Sequence, residues 1–157
     1  MQSNLEYALA YARIGWSVLP LHWIMDGSLC SCGDAECRTP GKHPLTRKGV
    51  KECSRDPDVI AGWWSKWPSA NVGAATGAVS GITVLDVDPR NGGEAPTGMP
   101  DTPMAITGGG GQHYVFAYYR NVPGKLGAGL DVKGDGGYIV VEPSNHISGG
   151  TYNWDSM

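Results

Sequence analysis

The sequence predicts a mixed α+β fold, and three observations predict it. Apolar residues recur at helical spacing in only two stretches, residues 5–14 and 57–67. Short β-type runs bounded by Gly, Pro or Asn dominate the chain from residue 72 onward. Between the two helical stretches, residues 25–49 are rich in Cys, Gly, Pro and charge and show no apolar period, so a long loop held by something other than a core is expected there.

In the first helix Leu5, Leu9, Ala12 and Ile14, with Ala8 and Tyr11 between them, form the apolar face. Ser3 and Asn4 offer N-caps and Gly15 the stop. Trp16 to Leu21 reads as a strand. Asp56 and Pro57 open the second helix, Val59, Ile60, Trp63, Trp64 and Trp67 supply its apolar face, and Pro68 ends it. Strands follow at 72–76, 81–87, 104–107, 113–119 and 137–141, with residues 91–101 as a surface connection.

With 157 residues and 41% hydrophobic content, the chain suits a single domain, 1–157, of one core or two small lobes that share one. Its net charge of −3 supplies no global basic field, so any contact with nucleic acid must be local. No apolar run approaches the roughly 20 residues of a membrane span, and the first residues lack the basic-then-apolar order of a signal peptide. A reducing cytoplasm and no membrane partner are the expectation.

The run from Gly81 to Arg90 is apolar until it delivers Asp86 and Asp88, which alternation places on one face of a strand that Pro89 stops. Two carboxylates about 6–7 Å apart at Cα can reach one hard cation, which also relieves their repulsion. A solvated strand end followed by a turn explains the pair equally well.

Further along, Thr107 and four glycines lead through Gln112 to His113. In such a turn the backbone N–H groups of Gly110, Gly111 and Gln112 can approach phosphate oxygens, and His113 adds a side-chain donor. A flexible hairpin is the simpler account of the glycines. Asp131 sits in an apolar, strand-like setting and is the third candidate ligand, whereas Asp135 lies between glycines and reads as a turn residue. Lys133 shares the alternating face of Asp131, to serve a phosphate or to pair with that carboxylate.

Cys30, Cys32, Cys37 and His43 place three thiols and an imidazole within 14 residues, the complement of a structural zinc site. Cys53 is a rival fourth ligand, with a buried thiol as its alternative reading. Lys42 and Arg47 are the local cations best placed for nucleic-acid or triphosphate phosphates, with solvated loop charges as the alternative reading. His22 and His146 have no assigned partner.

Taken in order, these motifs resemble the primase-polymerase domain of the archaeo-eukaryotic primase superfamily, of the type fused to helicases in phages and plasmids. The resemblance rests on Ala-Leu-Ala-Tyr-Ala-Arg-Ile-Gly-Trp-Ser-Val-Leu-Pro-Leu at 8–21, Pro-Gly-Lys-His-Pro at 40–44 and Trp-Trp-Ser-Lys-Trp-Pro at 63–68. It continues in Leu-Asp-Val-Asp at 85–88, Gly-Gly-Gln-His at 110–113 and Gly-Leu-Asp-Val-Lys-Gly-Asp-Gly-Gly-Tyr at 129–138.

The resemblance implies an RRM-like, antiparallel-rich sheet carrying the metals, a smaller α/β lobe, and the zinc loop at 25–49. It further implies two Mg²⁺ or Mn²⁺ ions on Asp86, Asp88 and Asp131, with His113 on the phosphates of a dNTP or NTP. The implied partners are a single-stranded or primed DNA template and a fused or associated helicase, the chain being a segment of a longer primase-helicase. One departure stands out: such domains usually have a serine two residues before the histidine, and this chain has Gly111. Two other functions fit the residues, a zinc-stabilised DNA-binding or origin-recognition module without catalysis and a metal-dependent nuclease.

Overall fold

The computed structural model describes residues 2–26 and 28–157. Its helices are α1 (Asn4–Arg13) and α2 (Pro57–Lys66). Its strands are β1 (Val18–Leu21), β2 (Ile24–Met25), β3 (Leu29–Cys30), β4 (Asn71–Ala75), β5 (Ile82–Val87), β6 (Met104–Ile106), β7 (Gln112–Ala117), β8 (Lys125–Gly127), β9 (Leu130–Lys133), β10 (Tyr138–Val141) and β11 (Asn153–Ser156).

Both helices start where the sequence places them. Of the two candidate caps Ser3 is the one used: its hydroxyl accepts from the Glu6 N–H, and the Glu6 carboxylate accepts from the Ser3 N–H at 2.9 Å, a reciprocal capping box. Asp56 caps α2 by accepting from the Asp58 N–H, and Pro57 occupies the first turn, where no N–H is missed.

Every strand pair is antiparallel. A small sheet runs β1–β4–β10, and a six-stranded sheet runs β11–β6–β7–β5–β9–β8, which seats β5 between β7 and β9. The mixed α+β expectation therefore holds. Strand β10, late in the chain, returns to the early sheet and ties the two together.

One core spans both sheets. Ala8 and Tyr11 of α1, Ile60 and Trp64 of α2, Val18, Val72 and Ile139 of the small sheet, and Ile82, Val84 and Val115 of the large sheet pack in a single buried cluster. Burial of side chains of this size stabilises by roughly 1.5–3 kcal/mol each. That cluster supports the strands that carry the acidic pair.

The structure adds elements the sequence did not announce. The short strands β2 and β3 pair at the start of the cysteine loop. β8 and β11 form the two edges of the large sheet. All three residues of β8 are exposed, so no buried face left an alternating pattern to read. Among the described residues no helix is long and apolar enough to cross a membrane.

Candidate functional site

Along β5 the alternating positions Ile82 and Val84 enter the shared core, and the next position on that face is Asp86, with a side chain 27% exposed. Cross-strand register then assembles a row: Asp86 stands opposite His113 on β7 and opposite Asp131 on β9. Directly opposed residues of an antiparallel pair share a face, their Cβ atoms about 4.5–5.5 Å apart. Residues far apart in sequence thus lie side by side at one strand end.

Asp88 follows beyond the end of β5, where it caps a 3-10 turn at Pro89–Asn91. Its carboxylate accepts from the Arg90 N–H at 3.0 Å and from the Asn91 side-chain amide at 2.6 Å. Asp131 leans outward to Lys125, whose Nζ lies 3.5 Å from its Oδ1. Asp131 thus pairs with Lys125, while Lys133 lines the cavity described below.

Burial raises the Asp86 carboxyl, but His113, with Nε2 3.6 Å away, and the cations Lys133 and Lys42 outweigh it and hold the group below the ordinary carboxylate range. The other ring nitrogen of His113, Nδ1, is buried and has no partner among the described residues. A buried polar atom in that condition costs about 1–3 kcal/mol, a cost characteristic of functional sites.

Asp86, Asp88 and His113 open into a cavity of about 390 Å³ between the large sheet and β10. Lys42, Arg90 and Lys133 bring positive charge to its wall, and Thr107, Gly109 and Gly111 bring the glycine turn. Tyr138, His146 and Tyr152 close it from the side of the small sheet. Burial, then the nearby Arg90, lowers the Lys42 ammonium below its usual range, and Asp86 and Asp88 pull in the other direction. Two carboxylates within three cations suit a ligand that carries phosphates and brings its own metal.

Gln112 opens β7 next to His113, so its side chain falls on the opposite face, where its Oε1 accepts from the Tyr114 hydroxyl at 3.1 Å. Neither Gln112 nor Gly110 lines the cavity, whereas Gly109 and Gly111 do. Arg90, His146, Tyr152 and Thr107 are the residues that the sequence reading missed. Arg90 was legible as the cation directly after the acidic pair, but nothing local to His146 or Tyr152 marks either for this cavity.

The absence of a serine at position 111 has a steric cause. A Cβ there would lie 2.5 Å from the Val87 carbonyl oxygen and 3.1 Å from the Thr107 hydroxyl. The Thr107 hydroxyl occupies that ground and accepts from the Gly111 N–H at 2.8 Å. Gly111→Ser is therefore expected to destabilise the protein by about 1–3 kcal/mol, read as a lower midpoint in denaturant. An unchanged midpoint would show that the turn has more room than this.

In the loop that carries Lys42, Cys30, Cys32, Cys37 and His43 bring their donor atoms within 4.8 Å of one another. His43 Nε2 lies 3.6 Å from both Cys30 Sγ and Cys37 Sγ. Tetrahedral zinc, with bonds of about 2.3 Å to sulfur and about 2.0 Å to nitrogen, separates those atoms by about 3.6 Å. This group can hold zinc, and its four protein ligands leave no open position.

Burial disfavours the Cys30 thiolate, but N–H groups of Cys32 and Gly41 and the adjacent thiols outweigh it and lower the thiol below its usual range. Cys53 lies outside the group, and burial pushes its thiol up. His43 is thus the fourth member. His22 also acquires a partner: its ring stacks on His43 at 4.2 Å, and Nδ1 meets the Ser31 hydroxyl.

Among the described residues no other group of three or more such side chains is gathered this closely, so Asp86, Asp88 and Asp131 remain more open. Their all-oxygen chemistry suits Mg²⁺ or Mn²⁺. The like charges of Asp86 and Asp131, directly opposed on neighbouring strands, are offset by Lys125 on one side and by His113, Lys133 and Lys42 on the other.

Comparison with curated proteins found no match. Comparison with protein families did: the profile described as Prim-Pol, bifunctional DNA primase/polymerase, N-terminal, matches residues 8–157, which include every residue of the site. The chain belongs to this Prim-Pol family.

Proposed function

We propose that this chain carries out template-directed nucleotidyl transfer in replication of phage or plasmid type, in a reducing cytoplasm, with Asp86, Asp88 and Asp131 as the carboxylates that hold two divalent ions. The observation that carries the reading is the His113–Asp86–Asp131 row across three adjacent strands, with Asp86 and His113 lining a cavity with cationic walls. Family membership supports a primase/polymerase activity of this kind.

Bound Mg²⁺ or Mn²⁺ would supply activation of the attacking 3′-hydroxyl and neutralisation of the departing pyrophosphate. The chain's own residues do the rest. Asp86, kept ionised, holds charge in the cavity wall; Lys42, Lys133 and His113 receive the phosphates of a dNTP or NTP; Gly109 and Gly111 allow the backbone to approach them. Asp131 serves once it turns from Lys125 toward Asp86, a rotamer change open to a side chain 41% exposed. The cysteine–histidine group, with structural Zn²⁺, holds Lys42 at the mouth. A primed or single-stranded DNA template and a helicase, fused or associated, complete the proposed assembly.

The test is a primer-extension assay with Mn²⁺ and dNTPs beside a labelled single strand incubated with metal alone. Extension that requires both template and dNTPs is the expected result. Degradation without dNTPs would instead indicate a nuclease, and DNA binding without either reaction a non-catalytic module.

A further inference from the structure

One buried histidine of the cavity has no place in the chemistry described so far. His146 is 3% exposed and lines the same cavity as Asp86, its ring 6.0 Å from that of Tyr152. Its orientation and its tautomer are both determined by neighbours.

The Ser148 backbone N–H donates to Nδ1 at 3.0 Å. A main-chain N–H cannot reverse that role, so Nδ1 is an acceptor and the ring proton sits on Nε2. The Ser148 hydroxyl lies 2.8 Å from both Nδ1 and the Gly108 carbonyl oxygen, shares its one hydrogen between these two acceptors, and accepts from the Gly150 N–H. Protonating Nδ1 would set two hydrogens against each other. Nε2–H makes no hydrogen bond among the described residues.

The ring is also built into the glycine turn. A Cβ on Gly108 would collide with Cβ of His146, and one on Gly109 would come within 2.9 Å of the Arg90 guanidinium. Bare backbone at 108 and 109 therefore lets Arg90 and His146 close on the same end of the cavity. Burial, followed by the charges of Lys42 and Arg90, disfavours the imidazolium, in keeping with a neutral ring.

We infer that His146 is a second phosphate-contacting histidine, whose Nε2–H donates to an oxygen of the incoming nucleotide's polyphosphate between Lys42 and Arg90. This rests on the nucleotidyl-transfer reading and deepens it. A neutral donor suits that position: it adds a directional hydrogen bond to the phosphate without a further positive charge beside two cations.

The experiment compares binding of a dNTP with Mn²⁺, and its displacement by inorganic pyrophosphate, in wild type, His146→Asn and His146→Gln. Asparagine can still accept from the Ser148 N–H through its Oδ1 but does not reach the cavity, whereas the glutamine amide does reach it. Expected for His146→Asn is about 10- to 100-fold weaker binding of both dNTP and pyrophosphate with an unchanged melting temperature, partly restored in His146→Gln.

Selective ¹⁵N-histidine NMR of the wild-type protein reads the same claim without a variant: His146 must show the Nε2–H tautomer, and its resonance must move on adding dNTP or pyrophosphate. Wild-type binding undiminished in His146→Asn, an Nδ1–H tautomer, or an unmoved resonance overturns the assignment and leaves the transfer reading standing. Failure of the wild-type protein to bind either ligand overturns both.

Discussion

Asp86→Asn is expected to lower template-directed extension by roughly 10³-fold or more while the protein still folds. The magnitude follows from the several kcal/mol that a metal-held charge contributes to transfer at phosphorus, with each 1.36 kcal/mol worth a factor of ten. Asparagine keeps the shape of the side chain opposite His113 and Asp131, so the loss isolates the charge. Folding is spared for a specific reason: removing one of two opposed carboxylates also removes a repulsion. Primer-extension rates beside a thermal melt read both quantities. Near-wild-type extension by Asp86→Asn would remove the proposed role of this residue.

The second large effect is expected at the cysteine–histidine group. The purified protein should hold one zinc per chain, and Cys37→Ser should lose it, lower the melting temperature by about 10 °C and expose residues 30–43 to hydrogen exchange. Damage should reach the cavity as well. Lys42 precedes the ligand His43, its carbonyl accepts from the Tyr138 hydroxyl at 2.7 Å, and Gly41 on its other side is held by the Asn71 side chain. Releasing the zinc end frees the lysine, so the nucleotide KM should rise more than kcat falls. Cys53→Ser is the matched control: it lies outside the group and should leave the zinc content unchanged. Zinc loss in Cys53→Ser, or retention in Cys37→Ser, would reassign the ligands.

The cysteine–histidine group and the Asp86/Asp88 pair stand out in the sequence because their residues are close in the chain. Thiols and an imidazole within 14 residues announce a metal loop, and Asp-x-Asp at the end of an apolar run announces a strand edge. The helices were legible for the same reason, since caps and apolar period are local.

What escaped depends on long-range pairing. His146 and Tyr152 reach the cavity only because β10 returns to the early sheet, and no local pattern encodes that return. Thr107 proved to fill the place of the missing serine at 111, which only the approach of Val87 explains. Gln112 is a different case: alternation along β7 places its side chain on the face opposite His113, so only its backbone was ever available for a phosphate. The lean of Asp131 toward Lys125 is a register fact, set by the β8–β9 pairing.

The most direct test of the account is to locate Mn²⁺ by its anomalous scattering in crystals of the protein with bound dNTP. The prediction is manganese between Asp86 and Asp131, with Asp88 contributing and Asp131 turned from Lys125 to the ion. Manganese bound elsewhere, with Asp131 still paired to Lys125, would contradict it.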